Sequence, residues 1–323
     1  MTNGRGKGGK GPAGKGSGKG AGKGAGKGAP GRGARGSGGS AGGRPPATRR
    51  SATPGQAPAR RAKGRTGAVG RARAASELGG EQVEGRNAVR ELLLAGRRRV
   101  HEVVVSTDRA DAPVLDDILD LARQLSVPVR ELGRTKLASI ARTDAHQGVL
   151  ATAAPLVPVD LEDLLVERDG MAPFLLAADG VTDPQNLGAL LRTAECAGVT
   201  GIVLPRHRAV HVSPAVTKAA AGAVEHLRFA VVGGLPAALA RMTGAGALVV
   251  GLDMGGEVSI HELPALDGPV VVVVGSEGRG LGRLVRQRCE VVASIPLLGA
   301  TESLNVSVAG ALALYEVVRR RQA

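Results

Sequence analysis

Apolar positions recur with regular spacing only from about residue 81 onward, and they do so in two successive regions. In EQVEGRNAVRELLLAGRRR, Val89, Leu92 and Leu93 lie at helical spacing and Gly96 follows, which predicts a helix ending at a glycine. VHEVVVST reads as a strand, APVLDDILDLARQL as an amphipathic helix, VPVREL as a strand, RTKLASIAR as a short helix and HQGVLATAAP as a strand. Residues 81–155 are therefore expected to form a small α/β unit. PLVPVDLEDLLVERDG leads out of it, with residues 156–172 as a linker.

From Pro173 to the end, residues 173–323, the pattern changes. Runs such as FLLAADG, TGIVLP, ALVVGLD, PVVVVVGSEG and VVASIP alternate with helical stretches around LGALLRTAECAG, SPAVTKAAAGAV, LPAALARM and NVSVAGALALYEVVRRR. Continuous Val-rich strands separated by helices predict an α/β domain with a mostly parallel sheet covered on both faces. Ligands bind such sheets beyond the carboxyl ends of the strands. Gly, Asn, Ser and Glu gather in the segments leaving those ends.

Charge separates these regions from what precedes them. The chain has 323 residues and a formal net charge of +14, yet residues 1–80 hold 18 Lys and Arg against the single acid Glu77, a net +17 that leaves the rest at −3. The opening Gly/Ala/Lys/Arg repeat offers almost nothing large enough to bury, so residues 1–80 are expected to be a disordered basic tail. No signal-like or membrane-length apolar run is present, which predicts a cytoplasmic protein without membrane contact. Cys196 and Cys289 make no metal-ligand spacing with the six histidines, so no metal site is expected. With no Trp, one Tyr and two Phe, a base-stacking mode of single-strand binding lacks its platforms. RNA contact would rest on phosphates, ribose hydroxyls and shape.

Three segments of the second region carry candidate chemistry. In DGVTDPQNLGALLRTAECAG, Asn186 is expected to cap a helix from which Arg192 projects about two turns later. In VVVVVGSEGRGLG, a buried strand runs into Gly275, Gly278, Gly280 and Gly282, where backbone can approach a ligand closely and Glu277 sits in the bend. The order of glycines departs from the dinucleotide fingerprint, and no Gly-Lys-Ser/Thr marks a phosphate loop. In IPLLGATESLNVSVAGALALYEVV, Ser303, Asn305 and Ser307 lie between a strand end and a long apolar helix. Each segment alone could be a capped helix or a turn. Small polar side chains concentrated between strongly apolar elements point instead to a site.

Together, NLGALLRTAECAG, GSEGRGL and IPLLGATESLNVSVAGALALYE resemble the three signature motifs of the SpoU (TrmH-like) branch of the SPOUT methyltransferases, over about residues 173–320. VEGRNAVRELL and AHQGVLA resemble landmarks of the ribosomal-protein-like substrate-binding domain that precedes the catalytic domain in 23S rRNA guanosine 2′-O-methyltransferases. The resemblance implies a C-terminal trefoil knot, S-adenosylmethionine as cofactor, RNA 2′-O-ribose methylation with a guanosine of 23S rRNA as the expected target, and a homodimer formed through the C-terminal domain. A tRNA or an antibiotic-resistance site on rRNA are alternative targets within the family. A non-catalytic RNA-binding or ribosome-assembly protein is the rival from another class, and a nicotinamide-dependent dehydrogenase a further one.

By the same resemblance, Gly275, Ile295 and Leu304 contact the cofactor through backbone, with Leu298 and Gly299 in the adjoining loop. Arg192, Asn186, Glu277, Ser303 and Asn305 are the catalytic candidates. Arg192 is expected to position ribose and phosphate, because a guanidinium stays protonated under almost all conditions. Asn186, Ser303 and Asn305 supply neutral donors and acceptors, and Glu277 is expected to pair with Arg192 or with substrate. His146, Arg97 to Arg99 and Arg142 are candidates for RNA contact. In the last helix, apolar residues spread over a wide arc, and Gly310 and Ala311 are expected to allow close approach of a second subunit.

Overall fold

The structure, a computed structural model, describes residues 78–322 except 109–111, 145 and 208–210. The tail expected over residues 1–80 lies outside the described residues apart from 78–80. Those three are packed: Leu78 is buried in the larger core, and the Gly79 N–H donates to the Val212 carbonyl. A single leucine after a low-complexity stretch gave the pattern nothing periodic to register.

The first folded layer runs β1 (Gln82–Glu84), α1 (Arg86–Ala95), β2 (Val100–Ser106), α2 (Pro113–Gln124), β3 (Val129–Leu132), α3 (Arg134–Ile140) and β4 (Val149–Ala153). Its sheet has the order β1-β4-β2-β3, antiparallel except for the parallel β2/β3 edge. Strand periodicity puts Val103, Val105, Val149 and Ala151 under Val89, Leu92 and Ile118 of α1 and α2. Val104 and Leu150 face the other way, onto Leu137 of α3. Helix α1 ends where the sequence indicates, with Gly96 left-handed at φ 59°.

The second layer comprises α4 (Leu161–Leu164), β5 (Phe174–Ala178), α5 (Pro184–Cys196), β6 (Gly201–Pro205), α6 (Pro214–Ala219), β7 (Phe229–Val232), α7 (Leu235–Gly244), β8 (Leu248–Leu252), β9 (Val258–Ser259), β10 (Val270–Val274), α8 (Arg283–Arg286), β11 (Val291–Ser294) and α9 (Val306–Arg321). Strand order is β7-β6-β5-β10-β8-β11-β9, and every pairing is parallel. Strand β10 is five valines, all buried, and each such side chain contributes about 1.5–3 kcal/mol on burial. Val272 and Val274 join Leu176, Leu190, Leu191, Leu314 and Val317 beneath α5 and α9, whereas Val271 and Val273 join Leu175, Leu239, Met242 and Val285 beneath α7 and α8. Helices on both faces explain why the strands lack polar alternation. The insertion of β10 between β5 and β8 is consistent with the knotted threading that the resemblance implies.

The two layers meet through the basic cluster at the end of α1. Arg98, buried, donates to Glu225 Oε1 (2.9 Å), to the Ala154 carbonyl (2.5 Å) and to the Gly80 carbonyl (2.7 Å). Arg97 donates to the Glu225 and Leu227 carbonyls. Burial pushes the Glu225 carboxyl up, against the opposing pull of Arg98, and Glu225 Oε2 is buried without a hydrogen-bond partner among the described residues. Arg97 and Arg98, candidates for RNA contact on sequence, therefore join the layers, while Arg99 is exposed. No helix among the described residues is long and apolar enough to cross a membrane.

Gly310, expected at a subunit contact, instead faces α5: a Cβ there would lie 2.3 Å from Leu190 Cδ2. The close approach it permits is between α9 and α5 of the same chain. The opposite side of α9 presents Val308, Leu312 and Tyr315 at 47%, 48% and 49% exposure, so the first layer does not cover that face.

Candidate active site

The site begins with how α5 is launched. Asp183 Oδ1 accepts the Gln185 N–H at 3.0 Å and Pro184 occupies the first turn, so Asp183 is the cap. Asn186, expected at the cap, lies at the third helical position after Asp183, with its amide turned inward. It is buried, donates from Nδ2 to Glu277 Oε2 (3.1 Å) and accepts at Oδ1 from Asn305 Nδ2 (2.8 Å). Asn305 in turn caps α9, its Oδ1 accepting from the Ser307 N–H (2.9 Å) and Oγ (2.5 Å). This chain of hydrogen bonds joins all three motif segments. Gly310 lets α9 approach α5, where a Cβ would sit 2.3 Å from Leu190 Cδ2, and Gly188 lets α6 close on α5, where a Cβ would sit 2.3 Å from Ala219 Cβ.

Beside the network, beyond the carboxyl ends of β8, β10 and β11, lies a cavity of about 500 Å³. Its walls include Leu252, Asp253, Met254, Gly275, Glu277, Ile295, Leu297, Glu302, Ser303 and Leu304. Among the described residues, three carboxylates and no cationic side chain line it. Gly275 and Gly280 form the closest backbone approach, since a Cβ on Gly275 would lie 2.2 Å from the Gly280 carbonyl carbon. The loop between them is closed by reciprocal bonds of 3.0 Å, Ser276 N–H to the Gly280 carbonyl and Gly280 N–H to the Ser276 carbonyl.

The sequence candidates fall into three groups. Gly275, Ile295, Leu304, Ser303 and Glu277 line the cavity; Asn186 and Asn305 stand in the adjoining network; Arg192, Leu298 and Gly299 do neither. Leu298 is wholly exposed and Gly299 is exposed beside it. Arg192 projects from α5 into solvent, with no hydrogen-bonded or ion-paired partner among the described residues. Glu277 is bonded to Asn186, not to Arg192. His146 takes a local role, its Nδ1 accepting the Gly148 N–H, and Arg142 uses its backbone N–H on Glu84. Sequence reasoning missed Asp253, Met254 and Glu302. Asp253 had a readable signal, a carboxylate directly after a Val-rich strand in LVVGLD.

The SpoU rRNA Methylase family matches residues 173–315, the stretch that builds the larger sheet, the network and the cavity. RNA 2′-O ribose methyltransferase substrate binding matches residues 82–159. A 23S rRNA (guanosine-2′-O-)-methyltransferase RlmB of Pseudomonas putida is 38% identical over 75% of this chain and 97% of its own length. The chain belongs to the SpoU rRNA methylase family. Another such relative, the RlmB of Coxiella burnetii, is 40% identical over 75% of this chain and 97% of its own length. Among solved structures, the AdoMet-bound rRNA methyltransferase of Sinorhizobium meliloti superposes with a TM-score of 0.62 at 25% identity, covering 74% of this chain and 87% of its own. For this SpoU methylase the motif segments read in the sequence are thus the ones the fold brings together.

A cofactor of the AdoMet type suits the cavity on its own chemistry. Glycines at 275 and 280 let the loop wall fold tightly on itself, Leu252, Ile295 and Leu304 offer apolar surface, and the carboxylates complement a sulfonium cation.

Proposed function

We propose that this protein is an S-adenosylmethionine-dependent RNA 2′-O-ribose methyltransferase acting on a guanosine of 23S rRNA, and that it works in the cytoplasm. The observation that carries this reading is the hydrogen-bonded chain Glu277–Asn186–Asn305 at the edge of the cavity, in a fold shared with relatives named for that activity. Backbone at Gly275, Ile295 and Leu304 would hold the cofactor, with Leu298 and Gly299 in the loop beside it. When bound, that cofactor supplies a methyl group on a sulfonium.

The residues of the chain then have to bring a ribose hydroxyl into line and exclude water. Arg192, without a counter-ion among the described residues, is suited to a backbone phosphate, which its planar fork can grip through two oxygens. Asn186 holds Glu277 on one side and Asn305 on the other, fixing both without a further buried charge. Ser303, exposed at the cavity wall, offers a hydroxyl to the substrate.

The exposed stripe Val308, Leu312 and Tyr315 on α9 supports a homodimer through the C-terminal domain, with Arg192 of one subunit serving the cofactor of the other. Transfer of labelled methyl from S-adenosylmethionine to transcribed 23S rRNA, with nuclease digestion to identify the 2′-O-methyl nucleotide, tests the activity. Incorporation at guanosine is expected. Absence of cofactor binding by calorimetry would remove the enzymatic reading in favour of a non-catalytic RNA-binding protein. Light scattering tests the assembly: a dimer is expected, and a monomer with full activity would remove the shared site.

A further inference from the structure

The glycine loop that walls the cavity is tethered at its exit from two sides. Strand β10 runs into this loop, and its two neighbours in the sheet, β5 and β8, are each followed directly by an aspartate, Asp179 and Asp253. Asp179 Oδ2 accepts the Gly282 N–H at 2.7 Å, and Asp253 Oδ2 accepts the Leu281 N–H at 3.3 Å. Two consecutive amides at the loop's exit are thus held by carboxylates from opposite sides. Asp253 Oδ1 also takes the Gly255 N–H (3.0 Å) and ion-pairs with Arg286 (2.9 Å), which balances one of the two charges. Asp179 extends its own strand's ladder, its N–H donating to the Val274 carbonyl at 2.8 Å, so its carboxylate is fixed relative to the start of the loop.

Within the loop itself, the backbone bonds are the reciprocal pair between Ser276 and Gly280. Left- handed backbone at Gly278 (φ 76°) and Gly280 (φ 62°) gives the segment no regular structure to rely on. Its placement against β10 therefore depends on what holds Leu281 and Gly282. We propose that Asp179 and Asp253 are positioning residues that hold the glycine loop, and with it Glu277 and the cofactor cavity, through hydrogen bonds to consecutive backbone amides. The proposal rests on the cofactor reading of the cavity. Asp179 is the cleaner of the two to test, because among the described residues it does not line the cavity and its carboxylate bonds only to Gly282.

Three variants separate the hydrogen bond from charge and from folding. Asp179→Ala removes the acceptor. Asp179→Asn keeps an acceptor oxygen and loses the charge. Gly282→Pro removes the donor from the other end, at a residue whose φ of −60° already suits proline. Calorimetry with S-adenosylmethionine should show Kd raised about tenfold in Asp179→Ala and in Gly282→Pro, the loss expected for one charge-assisted bond. Asp179→Asn should stay within about threefold of wild type, and the Ala/Pro double variant should be no worse than either single one, as expected for two ends of one bond. Hydrogen exchange should show faster exchange across residues 275–282 in the Ala and Pro variants, with or without cofactor.

Wild-type affinity and wild-type loop protection in Gly282→Pro would overturn the proposal, as would an Asn variant as impaired as the Ala variant. Should Asp179→Ala fail to fold, Gly282→Pro and Asp179→Asn decide by the same criteria. If the wild-type protein binds no S-adenosylmethionine, the cofactor reading falls, and loop exchange alone decides the tether.

Discussion

Gly275→Ala is the substitution whose cost the structure defines most sharply. The added Cβ would lie 2.2 Å from the Gly280 carbonyl carbon, 2.3 Å from its oxygen and 2.5 Å from the Leu281 nitrogen. Ordinary carbon contacts lie at roughly 3.5–4.0 Å, so the loop must retreat by more than about 1 Å. All three obstructing atoms are backbone, so no side-chain rotation relieves the clash. The retreat breaks the reciprocal Ser276–Gly280 bonds and pulls Glu277 from Asn186. Overpacking of this kind costs about 1–3 kcal/mol. For a folded body of this size that lowers Tm by about 2–4 °C per kcal/mol. Because the clash falls in the cavity wall, cofactor affinity should fall further than stability, by about tenfold or more. Calorimetry with S-adenosylmethionine and a thermal melt on the same variant measure the two losses. Gly233→Ala, with nothing within 4 Å of the new methyl, is the control and should change neither. Wild-type cofactor affinity in Gly275→Ala would refute the assignment of this backbone approach to the cofactor site.

Arg98→Ala should lower stability by about 3–5 kcal/mol in chemical denaturation, because it strands the buried Glu225 carboxylate at the junction of the layers; a loss under 1 kcal/mol would remove that pair from the junction. Glu316 is held below the usual carboxylate range chiefly by its hydrogen bonds to Arg319. A depressed folded-state pKa stabilises above the ordinary carboxylate range, and that stabilisation is lost as pH falls through it. Thermal melts between pH 7 and pH 3 should therefore show a smaller acid loss in Glu316→Gln than in wild type, and equal losses would contradict this. Deleting residues 1–77 should weaken RNA binding and flatten its dependence on salt while leaving the modified nucleotide the same, since the segment carries charge but little with which to read bases. A shift in the methylated position would assign recognition to that segment.

The sequence made the long elements and the motif segments readable, and its failures have physical causes. Strand β10 and helices α1, α2 and α9 stand out because their apolar periodicity runs for five residues or more. Strand β9, two residues long, and α4 and α8, four each, are too short to show any period. At the start of α5, Asp183 and Asn186 are both capping types; Pro184 in the first helical turn decides for Asp183 and frees the asparagine amide for the site. The contacts of Asn186 lie 91 and 119 residues away in sequence, at Glu277 and Asn305. Local pattern carries no information at that range, so it offers Arg192 or substrate as the partner of Glu277 and does not point to Asn186. Arg98 looked like surface charge because it follows a helix end in a run of three arginines, yet the second layer buries it. Asp179 and Asp253 were legible as strand-end acids, but only the strand order places them on either side of β10.

Ribose-methylation mapping of 23S rRNA from cells with and without the gene tests the proposed activity most directly. One guanosine should lose its 2′-O-methyl group on deletion and regain it when the wild-type gene is restored. Restoring Arg192→Ala instead should leave the position unmethylated, and Arg192→Lys should not rescue it, because a point charge cannot reproduce the planar fork. Identical maps with and without the gene would contradict the assignment to 23S rRNA, and full methylation by Arg192→Ala would remove Arg192 from the reaction.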